Sequence, residues 1–249
     1  MQTNERLDTV NDSIRLIQRS DGLTFGTDAL LLAAYVRGGR DLTAIELGTG
    51  TGIVSLLCAT RQKLSRILAV EVQKEFAELA SRNVALNGLS ETVRVVHADV
   101  RDFNEYAGDG VDIVFTNPPY MTVGGGFANR ADIKNIARHE VLGDIGDFCR
   151  AAARKLRYGG RFYCVYRPDR IVDLFCAMRA SKIEPKRMTL VLADAESVPS
   201  MLLVEGKLGA APGMICTAPL LIYGDREHKT NSAAMQYILK HGSFPEKEA

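Results

Sequence analysis

From residue 43 onward the chain alternates short apolar runs with amphipathic stretches. TAIELG at 43–48 and SRILAVEV at 65–72 have strand length and each reaches an acidic residue near its end, while IVSLLCATRQ between them reads as a helix. QKEFAELASRNVALNG at 73–88 sets Phe76, Leu79, Ala80, Val84 and Leu86 on helical spacing and closes on Gly88, which predicts a helix with a C-terminal glycine. TVRVVHAD and VDIVFTNP supply a third and a fourth strand. After a loop come a helix over about 144–157, a strand at GRFYCVYR, a helix over about 169–181, and strands near KRMTLVL and SMLLVEG. This alternation predicts an α/β fold, a mostly parallel sheet with right-handed crossovers and helices on both faces. Ligands on such sheets bind at the carboxyl ends of the strands. Beyond the alternating core, APLLIYGD has the character of a hairpin, and a helix is expected over about 231–241.

A chain of 249 residues with 46% hydrophobic content suits one large α/β domain. Charged residues make up 24% and the net charge is +1, so nothing global marks a nucleic-acid binder. The basic excess lies in the second half, where residues 129–249 carry 19 Lys+Arg against 14 Asp+Glu. No apolar run approaches the roughly 20 residues of a membrane span, and MQTNERLDTVND has no signal-peptide core, so a soluble cytoplasmic protein is expected. The five cysteines, at 58, 149, 164, 176 and 216, form no CxxC pair; they predict buried thiols, no disulfide framework and no metal site.

ELGTGTG at 46–52 places glycines at 48, 50 and 52 directly after the first core strand. A dinucleotide fingerprint would need its third glycine or alanine at 53, which is Ile53, and the Lys-Ser/Thr ending of a phosphate-binding loop is missing. The glycines let the backbone turn tightly under a bulky ligand that a Cβ would strike. The pattern resembles motif I of the class I S-adenosylmethionine (SAM) methyltransferases. That resemblance implies a Rossmann-like fold with a seven-stranded sheet, and it makes Gly48, Gly50 and Gly52 cofactor-binding. In the family an acidic residue after the second strand receives the ribose hydroxyls, which falls on Glu71 with Val72 beside it. An Asp after the third strand meets the adenine edge, which falls on Asp99 with Val100 beside it. Glu46 would lie near the methionine end, where the cofactor's ammonium needs an anion.

Thr116-Asn117-Pro118-Pro119-Tyr120 closes the fourth strand. Two adjacent prolines cannot extend a ladder because neither has an N–H, so the strand ends there. Asn117-Pro118-Pro119-Tyr120 resembles the N/D-P-P-Y/F signature of methyltransferases acting on planar amino or amide nitrogens, which implies that these four residues are catalytic and that Asn117 also adjoins the cofactor. The nitrogen's lone pair is delocalised. Acceptors on its hydrogens, from the Asn117 side chain and the Pro118 carbonyl, would favour pyramidalisation and stabilise the developing positive charge. Tyr120 offers a flat face for stacking.

GLTFGTDALLLAAYV at 22–36 reads as a helix capped by Thr27 or Asp28. It also resembles the FGTDA-x-LL segment of bacterial enzymes that modify N6 of adenine 37 in valine tRNA. With ELGTGTG, NPPY, Ala137-Arg138-His139-Glu140 and Leu156-Arg157-Tyr158-Gly159-Gly160, the likeness covers most of the chain and is strongest before residue 167. It implies SAM as cofactor, RNA and in particular tRNA as partner, Thr27 and Asp28 at the cofactor, and substrate contacts from Tyr120, Arg130, Lys134, Arg138 and His139. It also implies a short N-terminal extension with a capping helix (1–40) ahead of one methyltransferase domain (41–249). Two alternatives stay open: a protein N5-glutamine methyltransferase acting on release factors, whose separate helical domain the roughly 45 residues before Glu46 are too few to supply, and a catalytically silent SAM-binding module. Arg150, Arg154, Lys155, Arg157 and Arg161, and the C-terminal Arg226, His228 and Lys229, read equally as a phosphate-facing surface or as solvated faces.

Overall fold

The computed structural model describes residues 4–20, 25–102, 110–119 and 143–245. Strands β3 (Thr43–Leu47), β4 (Arg66–Glu71), β5 (Val93–His97), β6 (Val111–Thr116), β7 (Leu156–Tyr166), β8 (Ile183–Leu192) and β9 (Pro199–Leu208) form the body of one sheet, in the order β8-β9-β7-β6-β3-β4-β5. β9 alone runs against its neighbours. This is the expected class I methyltransferase architecture. The sheet is nevertheless larger than seven strands, because the two-residue strands β10 (Ile215–Cys216) and β11 (Leu220–Leu221) pair in parallel with the outer edge of β8. APLLIYGD therefore adds an edge strand, with only a single bridge from Tyr223 to Asn231 following it.

The interior strands β3, β4 and β6 are buried on both faces, as apolar runs between two helical layers must be, whereas β8 alternates buried and half-buried residues along its whole length. On one face lie α1 (Thr27–Tyr35), α2 (Ile53–Thr60), α3 (Lys74–Leu86) and, near its edge, α6 (Ala233–His241). On the other lie α4 (Ile145–Lys155) and α5 (Ile171–Ala180). α2 is buried from Ile53 to Ala59, so it is the central helix of its layer. α3 ends as its sequence predicts, with Gly88 just beyond it at φ +67°. α4 begins on a capping box in which Asp144 accepts from the Asp147 amide and Asp147 accepts from the Asp144 amide, and it ends on Arg154 and Lys155.

The hairpin β1 (Glu5–Asn11) and β2 (Ile14–Arg19) is not evident from sequence periodicity. It is fastened to α3 by two asparagines one turn apart that imitate a neighbouring strand. Asn83 accepts from the Ile17 amide at 2.7 Å and donates to the Ile17 carbonyl at 3.0 Å, and Asn87 does the same with Arg15 at 3.0 and 2.8 Å. Asn83 is fully buried and donates also to the Thr51 carbonyl at 2.9 Å, tying hairpin, helix and glycine loop at one point. Asn83→Ala leaves the Ile17 and Thr51 groups without these partners, each costing about 1–3 kcal/mol. Urea unfolding of this variant is expected to show a loss of about 2–4 kcal/mol, against less than about 1.5 kcal/mol for the more exposed Asn87→Ala.

Cys58, Cys149 and Cys164 are buried as expected, but Cys176 and Cys216 are exposed. Cys216 stands on the outermost two-residue strand, where no further layer covers it, so its apolar sequence context does not make it core. Among the described residues no helix is long and apolar enough to cross a membrane.

Candidate active site

β6, β3, β4 and β5 lie side by side with their carboxyl ends nearly level: Leu47 pairs with Val70 and Thr116, and Glu71 with His97. This register brings ELGTGTG, Glu71, Asp99 and Asn117-Pro118-Pro119 to one edge of the sheet. Thr116 Oγ1 donates to the Leu47 carbonyl at 2.8 Å, which fixes the start of the Asn-Pro-Pro turn against the strand that carries the glycine loop.

The loop is built from left-handed residues. Gly48, Gly50 and Gly52 have φ of +74°, +56° and +86°, a region costly for any residue with a Cβ. The amides of Gly48 and Thr49 donate to the Val70 carbonyl, and the Gly52 amide returns to the Thr49 carbonyl at 2.9 Å. A Cβ on Gly48 would meet the Phe148 ring and one on Gly52 would meet Ala80, at 3.4 Å each, whereas one on Gly50 would meet no protein atom within 4 Å. Gly48 and Gly52 thus face the protein at ordinary contact distance and are constrained by their left-handed backbone. Gly50 presents bare backbone to the open side, the feature a cofactor laid against the loop requires.

Glu71 is buried and shapes the same loop. Its Oε2 accepts from the Gly50 amide and its Oε1 from the Gln73 amide, both at 2.9 Å. Each carboxylate oxygen has a further lone pair for a hydroxyl donor, so this role is compatible with binding a ribose diol. Val72 follows it, half-buried, with its carbonyl 3.0 Å from His97 Nε2. Asp99 stands beyond β5 at the predicted place, held by Arg101, whose Nε donates to both carboxylate oxygens at 2.9 and 3.0 Å. The guanidinium and the Arg101 amide keep the Asp99 carboxyl below its ordinary range. Val100 is buried beside it.

Glu46 is 1% exposed, and its hydrogen bonds converge on Oε2: Thr49 Oγ1 donates at 2.6 Å, the Ser55 amide at 3.2 Å, and the Ser55 hydroxyl also donates. Burial pushes its carboxyl up to about 7, against the opposing pull of the Ser55 and Thr49 donors. The Thr49 and Ser55 clamp is not assigned from the sequence. Its trace there is a hydroxyl in the first turn of a helix that is otherwise almost wholly apolar.

The N-terminus of α1 reaches the same edge. Asp28 and Thr27 do not cap the helix: Gly26 holds the N-cap position without a side-chain bond, and Thr27 is exposed. Asp28 instead accepts from Asn117 Nδ2 at 2.8 Å. A carboxylate only accepts, so the amide must present its nitrogen to Asp28, which turns Oδ1 away from it. Asn117 is half-buried and Pro118 buried.

Tyr120, Arg130, Lys134, Arg138 and His139 lie outside the described residues. Several basic candidates are already engaged. Arg150 pairs with Asp147 at 2.7 Å and Arg157 with Asp112 at 2.6 Å, while Arg154 donates to the Arg101 carbonyl at 2.8 Å. In the C-terminal cluster Arg226 pairs with Glu196, His228 with Asp194 and Lys229 with Glu227. Carboxylates meet Arg150, Arg157 and the C-terminal three, and backbone carbonyls meet Arg154 and Arg161, so for these described residues the solvated-face reading fits better than a phosphate surface.

Residues 19–173 match the family model of the methyltransferase small domain. A tRNA1(Val) (adenine(37)-N6)-methyltransferase of Cronobacter sakazakii is 27% identical over 205 residues, covering 82% of each chain. An enzyme of the same name from Tolumonas auensis is 31% identical over 173 residues, covering 65% of this chain and 70% of its own. Among solved structures, one described as a predicted O-methyltransferase from Agrobacterium tumefaciens superposes with a TM-score of 0.70 at 22% identity, covering 89% of this chain and all of the other. At that identity the last likeness establishes the fold.

Proposed function

Because this chain belongs to the methyltransferase small domain family and is a SAM-dependent methyltransferase, we propose that it methylates the exocyclic N6 of an adenine in RNA, most specifically adenine 37 of valine tRNA. The observation that carries this reading is the bond from Asn117 to Asp28, which commits the amide nitrogen to Asp28 and so sets which side of the amide bears Oδ1 at the end of β6. The relatives' shared name supports the choice of RNA and of the base.

S-adenosylmethionine supplies an electrophilic methyl group when bound. Glu71 and Gly50 would hold its ribose and the neighbouring backbone face, Asp99 and Val100 its adenine, and Glu46 its ammonium. Asn117 Oδ1 and the Pro118 carbonyl accept the two hydrogens of the target amino group. As the nitrogen attacks, its lone pair leaves conjugation and positive charge builds on it; the two acceptors stabilise that charge more than they stabilise the flat ground state. The proton in excess on the methylated nitrogen passes to water, so no strong base is required. A base in structured RNA must leave its stack to reach this edge, and Tyr120 would receive it.

Glu46 gives cofactor binding a defined pH dependence. With its carboxyl pushed up to about 7 by burial, the group is about half protonated at neutral pH. An ammonium beside it favours the anion, so binding releases a proton and affinity rises with pH up to about 7. Above about 8 the cofactor's own α-amino group loses its charge and affinity falls again. Calorimetric titration with SAM is expected to trace this bell, and Glu46→Gln is expected to flatten its acid limb and weaken binding about tenfold. An acid limb that persists in the variant would remove Glu46 from this role.

To test the RNA reading, the protein is incubated with methyl-labelled SAM, unmodified bulk tRNA and peptide release factor together, and the products are digested to nucleosides and amino acids. The label is expected among the nucleosides. Label confined to glutamine would overturn the proposal in favour of the protein-methylating alternative.

A further inference from the structure

A groove of about 1470 Å³ opens at the end of α1 remote from Asp28, between that helix end, the loop leading to β3, the loop after α2, the β8–β10 edge and the chain beyond α6. Its charged lining is one-sided. Arg37, Arg40, Arg61, Lys63 and Lys186 face it, and among the described residues none of the five has a carboxylate within ion-pair distance. The acid in the lining, Glu205, is taken by Arg187 at 2.9 Å. Among the described residues most arginines pair with a carboxylate, and this groove gathers five cations without one.

Lys63 has a structural task. Its ammonium donates to the Ala33, Ala34 and Val36 carbonyls at 2.7, 3.2 and 2.9 Å, capping the carbonyl end of α1. The other four have no comparable duty to account for their charge. Arg37 and Arg40 are exposed, and Lys186 donates once, to the Ala211 carbonyl. Arg61 is held in place by the backbone of the last helix: its guanidinium fills the space where a Cβ on Gly242 would stand, and Gly242 is left-handed at φ +65°. Its Nη1 is the one buried side-chain nitrogen or oxygen among the described residues with no hydrogen-bond partner. A buried cation nitrogen left in that state calls for a nearby anion.

We infer that this groove docks the phosphodiester backbone of the RNA substrate, with Arg37, Arg40 and Lys186 meeting phosphates and Arg61 setting the positive field of the wall. α1 joins the two places. Its nine residues span about 13 Å, with Asp28 and the methyl-transfer edge at one end and the groove at the other, a distance that any RNA stem exceeds. Contacts of this kind position a nucleic acid and set its affinity without reading sequence. The inference rests on the RNA reading above.

The test uses the full chain and the triple substitution Arg37→Glu/Arg40→Glu/Lys186→Glu, none of which touches the site of transfer. Binding of a valine tRNA transcript is measured by filter retention across a range of salt, beside methylation kinetics and SAM binding. The expected result is RNA affinity at least tenfold weaker, a log–log salt slope smaller by about 2–3, a raised KM for RNA, and kcat and SAM affinity unchanged. Inorganic phosphate alone, titrated to millimolar levels, is expected to compete weakly; saturation by it below the concentration that displaces RNA would assign the groove to a free anion and overturn the inference. RNA binding equal in wild type and variant would likewise overturn it and leave the groove to an acidic protein surface. If the wild type binds RNA without methylating it, the RNA-methylation proposal fails while the groove is still judged by the variant. If the wild type binds no RNA, both fail.

Discussion

Asn117→Ala is expected to lower kcat for methyl transfer about 10²–10³-fold, the range found when one preorganised hydrogen-bonding group is removed from a site of developing charge, while the Kd for SAM changes by less than about threefold. Single-turnover kinetics with saturating cofactor separates the two. The special feature of this chain is how the amide is held. Asp28 accepts from Nδ2 at 2.8 Å, so the orientation of Oδ1 depends on a residue 89 positions earlier. Asn117→Asp keeps an acceptor at 117 but sets two carboxylates within hydrogen-bonding distance, where they cannot both stay ionised in place. That variant is expected to be nearly as slow as the alanine. Reversing the pair, with Asp28→Asn added to Asn117→Asp, restores one donor and one acceptor and is expected to regain at least about tenfold in kcat, because the lost term is the mismatch between the two groups. Equal rates for the single and the reversed double variant would remove Asp28 as the residue that positions Asn117.

The second large effect belongs to Glu71. Its two oxygens each accept a backbone amide, from Gly50 and from Gln73, and under the proposed role they also receive the ribose. Glu71→Ala therefore removes a cofactor contact and releases the left-handed turn at Gly50 at once. SAM affinity is expected to fall about 100-fold or more, equivalent to about 2.7 kcal/mol, with kcat at saturating cofactor much less affected. Glu71→Gln is informative in another way. An amide has one oxygen to offer where two N–H donors point, so one donor faces another, and the expected loss is about tenfold or more despite the conserved shape. Calorimetry or fluorescence titration with SAM reads both. A glutamine variant that binds as the wild type does would contradict the structural half of this role.

Much of this site is legible along the chain because its parts are local. ELGTGTG announces a turn that only glycines can make, and all three glycines are left-handed. The acidic strand ends are visible as single residues closing apolar runs, and a parallel sheet brings such ends to one edge. Contacts between distant residues are not legible in this way. The Asn117–Asp28 bond, the fastening of β2 to Asn83 and Asn87, and the Thr49–Ser55 clamp on Glu46 each depend on side-chain direction after packing, which periodicity does not encode. The basic residues after β6 show the same limit from the other side. Sequence counts cannot distinguish Arg157, paired with Asp112, from Arg37 and Arg40, which have no such partner among the described residues. The N-terminal hairpin escapes notice because strand signals in β1 are weak: its exposed and half-buried residues do not alternate strictly, and none is counted as buried.

The atom that receives the methyl group tests the proposed function most directly. A valine tRNA transcript lacking all modification is incubated with the protein and methyl-labelled SAM, digested to nucleosides and resolved by chromatography against standards. Label is expected in N6-methyladenosine alone, appearing about 10²–10³-fold more slowly when Asn117→Ala replaces the wild type. Label on a ring nitrogen, a carbon or a ribose oxygen of the same RNA would contradict the proposed function, because acceptors held for the two hydrogens of an exocyclic amine have no function at those atoms.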